Sequence, residues 1–339
     1  MSHFSWNNNY NFDFKILENI QVSMKSKNNL YKNVVERFDN NLVPVIDIKM
    51  ISKYPKEIYD LFFKERGAII FKNVYSKKLM DEYNKWCVDM LKSAKNDANF
   101  IHPKQKNKYL INDLIKRMVD NNPDLMLLLL FDDKLLSIMD IILGFGTYGS
   151  ATCHWINPKG KRQTSHVDYP IHVGSGKFWE NSVAKLKRLN TRHQINNILP
   201  HFSFQLLIAS DKMNHLNGST EVVPCSHLID DMDVIIHNKE IYKGFEKYFM
   251  NVSLEQGDML IFNRRLCHRG GENVSNKRRN SLIIQSIYLW GIGQEIIDSS
   301  YIINKLQNNQ LYNSFSEEKK KELLLRLKKP YPVDVKKNA

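Results

Sequence analysis

The feature that most constrains the fold of this chain is a series of short apolar runs between residues 148 and 289, punctuated by Gly, Pro and Asn. Short runs of this kind, bounded by turn-forming residues, are typical of β-strands. Their regular recurrence favours a barrel or a jelly roll. We predict strands at residues 148–156, 163–169, 202–209, 219–224, 248–254, 258–262 and 281–289.

The segment before this β region carries both helical and strand patterns. Apolar residues at helical spacing alternate with short apolar runs, and the predicted strands are 43–48 and 68–74 and the predicted helices 56–66 and 76–95. Residues 108–144 have the pattern of three helices, broken at Pro123 and near Asp132. Their apolar residues are too dense for an exposed surface, so we expect these helices to pack against a larger body.

The two ends of the chain have different patterns. Residues 1–40 are rich in Asn and Lys without a clear period, and we expect a loosely ordered arm. In contrast, Ser314-Phe-Ser-Glu317 resembles a capping box at the start of a helix that ends before Pro330. We therefore predict a C-terminal helix, docked on the body, and a tail within residues 301–339.

Composition excludes several classes of protein. No run approaches the roughly 18 apolar residues of a membrane span, and the four scattered cysteines form no CxxC pair. The N-terminus lacks the basic start and apolar stretch of a secretory signal, so we expect an intracellular, cytoplasmic protein. The net charge of +13 favours anionic partners, which include nucleic acid, phosphorylated metabolites and acidic proteins.

One pair of residues suggests a metal site. His166 and Asp168 lie two positions apart in the predicted strand 163–169, and residues i and i+2 of a strand point to the same face. An imidazole and a carboxylate on one face could hold one metal ion. On its own the pair does not separate a metal site from a chance occurrence.

Three further features lie downstream in the β region. Gly257-Asp258 forms a turn into a strand, and His268 follows about ten residues later. Arg279 and Ser281 place a guanidinium and a hydroxyl on one face of the last strand. Between these motifs and His166, the segment 217–227 begins with Asn-Gly and ends with Pro-Cys-Ser-His.

In this combination the chain resembles the phytanoyl-CoA dioxygenase-like branch of the iron(II) and 2-oxoglutarate-dependent oxygenases, over residues 64–289. Five motifs carry the resemblance in the expected order, namely Gly67-Ala-Ile-Ile-Phe-Lys-Asn-Val, His166-Val-Asp168, the segment 217–227, the segment 257–268, and Arg279. The chain departs from the family pattern in two places. Cys225 replaces the usual Gly between Pro and Ser, and the insertion 173–200 has no counterpart.

The resemblance implies an α+β fold with a double-stranded β-helix core, which is a cupin-like jelly roll. This core, with supporting helices, would span residues 41–300, flanked by the N-terminal helices and the C-terminal helix. It further implies an Fe(II) site formed by His166, Asp168 and His268, two imidazoles and a carboxylate that leave open positions for 2-oxoglutarate and O2. Arg279, assisted by Ser281, would bind the remote carboxylate of 2-oxoglutarate, with Arg278 as the competing choice.

The implied reaction is hydroxylation coupled to conversion of 2-oxoglutarate and O2 into succinate and CO2, with ascorbate as a supporting reductant in vitro. Asp168 argues against halogenation, because halogenating relatives have a small residue there. Four residues on or beside the strands that would face the barrel mouth are candidate substrate contacts. They are Tyr169, Trp155, Asn157 and Gln205.

The substrate class is open at this level. A small or conjugated metabolite is the leading expectation, and two basic groups would favour an anionic one. The first is the lid-like insertion 173–200, which carries five basic residues against Glu180. The second is the run of Arg264, Arg265 and Arg269. An oxygenase acting on nucleic acid or protein is an alternative, as is a catalytically silent barrel that serves as a binding module, although nucleic acid is not favoured. The sequence does not predict the oligomeric state.

Overall fold

The computed structural model of the chain describes residues 13–93, 108–168, 203–229, 232, 243–288 and 298–327. Its strands are β1 (Arg37–Asp39), β2 (Val43–Asp47), β3 (Ala68–Lys72), β4 (Lys108–Ile111), β5 (Gly146–Ile156), β6 (Ser203–Ile208), β7 (Thr220–Val222), β8 (Met250–Asn251), β9 (Met259–Asn263), β10 (His268–Gly270) and β11 (Arg279–Tyr288). The helices are α1 (Phe14–Ser26), α2 (Pro55–Asp60), which continues as a π-helical turn over Leu61–Arg66, α3 (Lys77–Ser93), α4 (Leu114–Asn121), α5 (Pro123–Leu130), α6 (Asp133–Leu143), α7 (Ser299–Leu306), α8 (Gln310–Asn313) and α9 (Glu317–Leu327).

Two sheets form the β core. The larger has eight strands in the order β1-β2-β3-β9-β6-β11-β5-β4, antiparallel except for the β2 and β3 pair. The smaller has three strands in the order β10-β7-β8. The chain crosses repeatedly between the sheets, as expected of a jelly roll. The α+β architecture with a cupin-like core is the one predicted.

Alternating side chains of the large sheet fill two separate cores. In β3, Ile69 and Phe71 belong to the core beneath the helices, whereas Ala68 and Ile70 belong to the core shared with the small sheet. This alternation follows from the two-residue period of a strand. Both faces of the sheet are therefore buried, and the sheet is a stable platform for side chains at its edges.

The helices α2 to α6 cover the outer face of the large sheet together with the C-terminal helices. Pro123 and Asp132 mark breaks between helices, as predicted, because Asn122 and Asp132 cap the helices that follow. Leu323 and Leu327 of α9 are buried in the same core, which is the predicted docking of the C-terminal helix. No helix among the described segments is long and apolar enough to cross a membrane.

Several predicted elements differ from the structure. Residues 13–39 are ordered rather than a loose arm, because α1 buries Leu17, Gln21 and Met24 and β1 extends the large sheet. Lys108–Ile111 is the strand β4 and not helix, since it pairs with β5. Ser316, rather than Ser314, accepts the N-terminal hydrogen bond of α9, from the Lys319 amide. Three helices replace the single one expected after residue 298.

The β region also departs from the prediction at two points. The run 163–169 was predicted as a strand, but its described part forms only a single β-bridge, at His166. The strand β10 was not predicted. Both segments are short and polar, and His166 and His268 hydrogen-bond to each other through their backbones. Neither segment therefore has an apolar pattern that would predict a strand. The insertion 173–200 lies outside the described residues.

Gly67 and His227, which belong to two different sequence motifs, are in contact in the structure. Gly67 ends the π-helical turn with a φ of 76°, which glycine adopts readily, and a Cβ there would collide with the His227 ring. Cys225 also has a positive φ, 69°, at the position where the family usually has Gly. The backbone conformation thus explains the usual Gly, while Cys225 keeps that conformation with a buried side chain.

Candidate metal centre

His166 and His268 face each other across a one-residue antiparallel bridge. The His166 amide donates to the His268 carbonyl at 3.0 Å, and the His268 amide donates back at 3.0 Å. Directly paired residues of an antiparallel ladder project their side chains to the same side. The two imidazole rings consequently lie side by side, with centroids 4.4 Å apart.

A backbone carbonyl orients each imidazole. Nδ1 of His166 lies 2.9 Å from the Thr164 carbonyl, and Nδ1 of His268 lies 2.9 Å from the Leu266 carbonyl. A carbonyl accepts only, so each Nδ1 carries the proton and each Nε2 presents a lone pair. Both Nε2 atoms point towards Asp168, at 3.7 Å from its carboxylate oxygens. Metal-ligating histidines usually have this arrangement, in which the other ring nitrogen donates to a carbonyl.

Asp168 supplies the third potential ligand. Its amide donates to the Arg264 carbonyl at 2.9 Å, which holds the residue beside the turn before β10. Burial opposes its ionisation, but the charges of His268, Arg264 and His166 outweigh burial and lower the pKa of Asp168 to about 2. Asp168 is therefore a carboxylate at neutral pH. Its Oδ2 also accepts a 3.2 Å hydrogen bond from the Gln205 amide.

The three side chains fit a divalent metal ion. One ligand atom from each of His166, Asp168 and His268 lies within 4.8 Å of the others. Burial, followed by the nearby His166, lowers the pKa of His268 to about 4, so this imidazole is neutral and available as a ligand at neutral pH. Two imidazoles and one carboxylate are the donor set of the non-haem iron oxygenases.

Arg279 lies at the start of β11 and is 2 % exposed. Its Nη1 donates to Ser281 Oγ at 2.8 Å and its Nη2 donates to the Gly218 carbonyl, whereas its buried Nε has no partner among the described residues. Burial lowers the pKa of Arg279 to about 10, which leaves it charged at neutral pH. Arg278 is exposed and lies over the Trp155 ring, on the other side of the strand.

Lys108 is a second buried cation that the sequence analysis did not identify. It pairs with Ile156 in β4 and β5, and Ile156 pairs with Arg279 in β11. The three side chains share one face, with Lys108 and Arg279 two strands, roughly 10 Å, apart. Burial and then the charge of Arg279 lower the pKa of Lys108 to about 8. Only the pairing of β4 with β5 reveals this position, because the local pattern had suggested a helix.

A cavity of about 310 Å³ connects these groups. His166, Asp168 and His268 line it together with Lys108 and Arg279. Gln205, which donates to Asp168, pairs with Gln285 of β11, six residues along that strand from Arg279, so the metal ligands lie towards one end of the cavity and the row of Arg279 and Lys108 towards the other. Of the predicted substrate contacts, Trp155 and Gln205 line the cavity. Asn157 is not among the described lining residues and instead accepts a hydrogen bond from Trp155 Nε1. Tyr169 lies outside the described residues.

The three arginines of the run near the cavity, Arg264, Arg265 and Arg269, have different surroundings in the structure. Arg269 is buried in ion pairs with Glu221 and Glu246 and stacks over Phe249. Arg264 is 3 % exposed and lines the cavity, and Arg265 is partly exposed. The run predicted to select an anion therefore contributes unequally, since the charge of Arg269 is already paired.

Comparisons with known proteins place the chain in a family. A family model described as phytanoyl-CoA dioxygenase (PhyH) matches residues 63–281, more than half of the chain. This agrees with the resemblance found in the sequence. A search of curated proteins finds no match.

Solved structures with the same fold are distant in sequence. SnoK, a non-heme alpha ketoglutarate dependent carbocyclase from nogalamycin biosynthesis, is 16% identical over 71% of this chain and 88% of its own, with a TM-score of 0.51. SnoN, an epimerase of the same biosynthesis, is 14% identical over 69% and 81%, with a TM-score of 0.51. EctD from S. alaskensis, solved with bound Fe, is 15% identical over 67% and 74%, with a TM-score of 0.51. At these identities the likeness establishes the fold.

Proposed function

Because this chain belongs to the phytanoyl-CoA dioxygenase family of iron(II) and 2-oxoglutarate-dependent oxygenases, we propose that it hydroxylates a small or conjugated metabolite. The observation that carries the proposal is the convergence of ligand atoms from His166, Asp168 and His268 at one end of a cavity that has Arg279 at the other. Hydroxylation is the expected outcome for a site with a carboxylate at position 168. The related fold also occurs in a carbocyclase and an epimerase, so the reaction is tested separately from the cofactor.

His166, Asp168 and His268 would hold the iron. An iron ion bound there would supply the activation of O2 that converts 2-oxoglutarate to succinate and CO2. The carbonyls of Thr164 and Leu266 keep both imidazoles in the tautomer that ligation requires. The Phe262 ring lies 4.6 Å from that of His268 and supplies an apolar wall of the site.

Arg279 and Lys108 would bind the remote carboxylate of 2-oxoglutarate. A buried guanidinium whose Nε lacks a partner is suited to an anion, because charge-assisted hydrogen bonds would replace the solvation that it has lost. Ser281 accepts a hydrogen bond from Nη1 and so fixes the plane of the guanidinium. Binding at this end orients the other end of the co-substrate towards the iron ligands.

The proposal is tested under anaerobic conditions with iron(II) and 2-oxoglutarate. We expect a weak visible charge-transfer band in the wild type and its loss in His166→Ala and Asp168→Ala. A wild type without the band, or variants that retain it, would contradict the assigned ligands. With O2 and ascorbate present, succinate formation then separates a working oxygenase from a silent barrel that only binds its cofactor.

The type of reaction needs its own measurement. A candidate metabolite that stimulates succinate formation is incubated with 18O2, and a hydroxylase is expected to transfer one labelled oxygen atom to it. A product without label, as in cyclisation or epimerisation, would contradict hydroxylation while leaving the oxygenase class intact.

A further inference from the structure

Arg264 is a buried cation in the cavity wall with unused hydrogen-bonding capacity. It is 3 % exposed, and its buried Nε has no hydrogen-bond partner among the described residues. Within the described part of the chain it forms an ion pair with Asp168 alone, at 3.7 Å, which is beyond hydrogen-bond distance. Burying a guanidinium in this state has a cost, since the lost hydration is not replaced.

The charges that line the cavity are unbalanced. Lys108, Arg264, Arg269 and Arg279 line it, while Asp168 is the one carboxylate among the described lining residues. Arg269 is neutralised by Glu221 and Glu246. A divalent ion at the metal site would more than neutralise Asp168, and a dianionic 2-oxoglutarate would match Lys108 and Arg279. Arg264 is then left without a counter-charge.

We propose that Arg264 binds an oxyanion of the substrate, a carboxylate or a phosphate, beside the metal site. This inference rests on the proposed function, because it assigns Lys108 and Arg279 to the co-substrate. The planar guanidinium can donate two parallel hydrogen bonds to such a group, which a lysine could not. The position of Arg264 next to Asp168 would hold the substrate close to the reacting centre, at the end of the cavity opposite to Arg279.

Arg265 provides a matched control. It is adjacent in the same turn, carries the same charge, is partly exposed, and is not among the described residues that line the cavity. An effect of net charge alone would be the same in Arg264→Gln and Arg265→Gln. An effect of a binding site in the cavity would appear in Arg264→Gln only.

The test is calorimetric titration of the full chain loaded with Mn(II) and 2-oxoglutarate. Methylphosphonate and acetate are the probes for a phosphate and a carboxylate, and acetamide is the uncharged control. We expect the wild type to bind at least one anion and not acetamide. Arg264→Gln should weaken that binding by about tenfold or more, equivalent to about 1.4 kcal/mol, while Arg265→Gln should stay within about twofold. The probe that is affected identifies the class of oxyanion.

Three results would overturn the inference. They are a wild type that binds neither anion, an Arg264→Gln variant that binds as the wild type does, and a variant whose affinity falls for 2-oxoglutarate alone. The last result would assign Arg264 to the co-substrate. Arg264→Lys, which retains the charge without the fork, is expected to recover part of the binding.

Failure of the proposed function would look different. A wild type that binds no Mn(II) or no 2-oxoglutarate contradicts that function. The probes are then titrated into the metal-free Arg279→Gln protein, with and without Arg264→Gln, so that the binding that depends on Arg264 is still measured. Equal binding in these two proteins would overturn the inference in this form as well.

Discussion

The two ends of the cavity rest on different kinds of structure. We call His166, Asp168 and His268 the metal end, and Lys108, Arg279 and Ser281 the carboxylate end. At the metal end, His166 forms one isolated bridge with His268, and Asp168 lies in a segment without strand pairing. His268 is the first residue of the three-residue strand β10. The carboxylate end lies on β4 and β11, joined through β5 in the eight-stranded sheet.

This difference has a physical consequence for binding. Strand register and burial on both faces position the cations of the carboxylate end before any ligand binds. The metal end has fewer backbone hydrogen bonds, so the ion itself would contribute to its order, as metal binding commonly does. We therefore expect changes at the metal end to alter metal-dependent stability, and changes at the carboxylate end to alter co-substrate affinity with little effect on metal-dependent stability.

The largest expected effect is the loss of a metal ligand. In the wild type, Mn(II) at about 100 times its dissociation constant should raise the free energy of unfolding by about 2.7 kcal/mol, and His268→Ala should remove this increase. Urea unfolding with and without Mn(II) measures it. His154→Ala is the control, because His154 lines the same cavity outside the ligand group and should keep the stabilisation. Equal responses in the two variants would contradict the assignment of His268.

Arg279→Gln should give the next largest effect. Removal of a buried cation from a charge pair costs several kcal/mol, so we expect the dissociation constant for 2-oxoglutarate to rise about 100-fold, by about 2.7 kcal/mol. Mn(II)-dependent stabilisation should be retained. Titration of the Mn(II)-loaded protein measures the affinity, and the exposed Arg278→Gln serves as the control. A larger loss in Arg278→Gln would reverse the assignment of the two arginines.

Gln205→Leu tests the link between the two ends. Gln205 lies on β6 of the large sheet and donates to Asp168 Oδ2, so it is a positioning residue for the metal end. A residue that hydrogen-bonds to a metal ligand in this way contributes about 10-fold or more to metal affinity. We expect Mn(II) affinity to fall by about this factor, with unchanged 2-oxoglutarate affinity at saturating metal. If metal affinity is unaffected, the large sheet does not order the metal end through Gln205.

The smallest expected effect is a pH dependence at Lys108. Its pKa of about 8 means that the amine is charged below that pH and loses its proton above it. Because the charged form binds a dianion better, 2-oxoglutarate affinity should be constant below about pH 8 and weaken several-fold towards pH 9. Arg279, with a pKa of about 10, remains charged over this range.

Lys108→Arg separates this titration from other causes. An arginine stays charged throughout, so the dependence should disappear in titrations of the Mn(II)-loaded variant between pH 7 and 9. Lys108→Gln should bind 2-oxoglutarate more weakly than the wild type, and its affinity should also not change near pH 8. If the affinity for 2-oxoglutarate still falls near pH 8 in both variants, a group other than Lys108 is responsible for the pH dependence.

The residues proposed for the metal end came from a local pattern, His166-Val-Asp168, and from the family resemblance, which added His268. His166 and Asp168 occupy i and i+2 of one short segment, and His268 and Arg279 follow in motifs of fixed order, so the proposed ligands and the fold family emerged together. Arg279 was also separable from Arg278 by strand alternation, and the structure places Arg279 inside and Arg278 outside. The pairing of His166 with Asp168 and the choice of Arg279 over Arg278 depend on sequence distances of one or two residues. Over such distances backbone geometry determines which side chains share a face.

Other features were beyond local patterns. Lys108 was assigned to a helix because the four residues of β4 are too few to show a strand period, and a helical segment follows them directly. α1 was missed because its buried side chains, Leu17, Gln21 and Met24, form a narrow and partly polar stripe. Gln205 was predicted only as a substrate contact, and the structure adds that this cavity-lining residue donates a hydrogen bond to Asp168.

The amino-acid order of this chain specified the jelly-roll class through its short apolar runs, and the order of its motifs carried the family resemblance that implied the metal ligands. The charges in the cavity were decided by long-range pairing. β4 brings Lys108 into the row of Arg279, Glu221 and Glu246 neutralise Arg269, and the turn before β10 turns Arg264 inwards beside Asp168. Burial and the identity of the nearest counter-charge determine whether a cation can bind an anion, and both arise only when distant segments pack together.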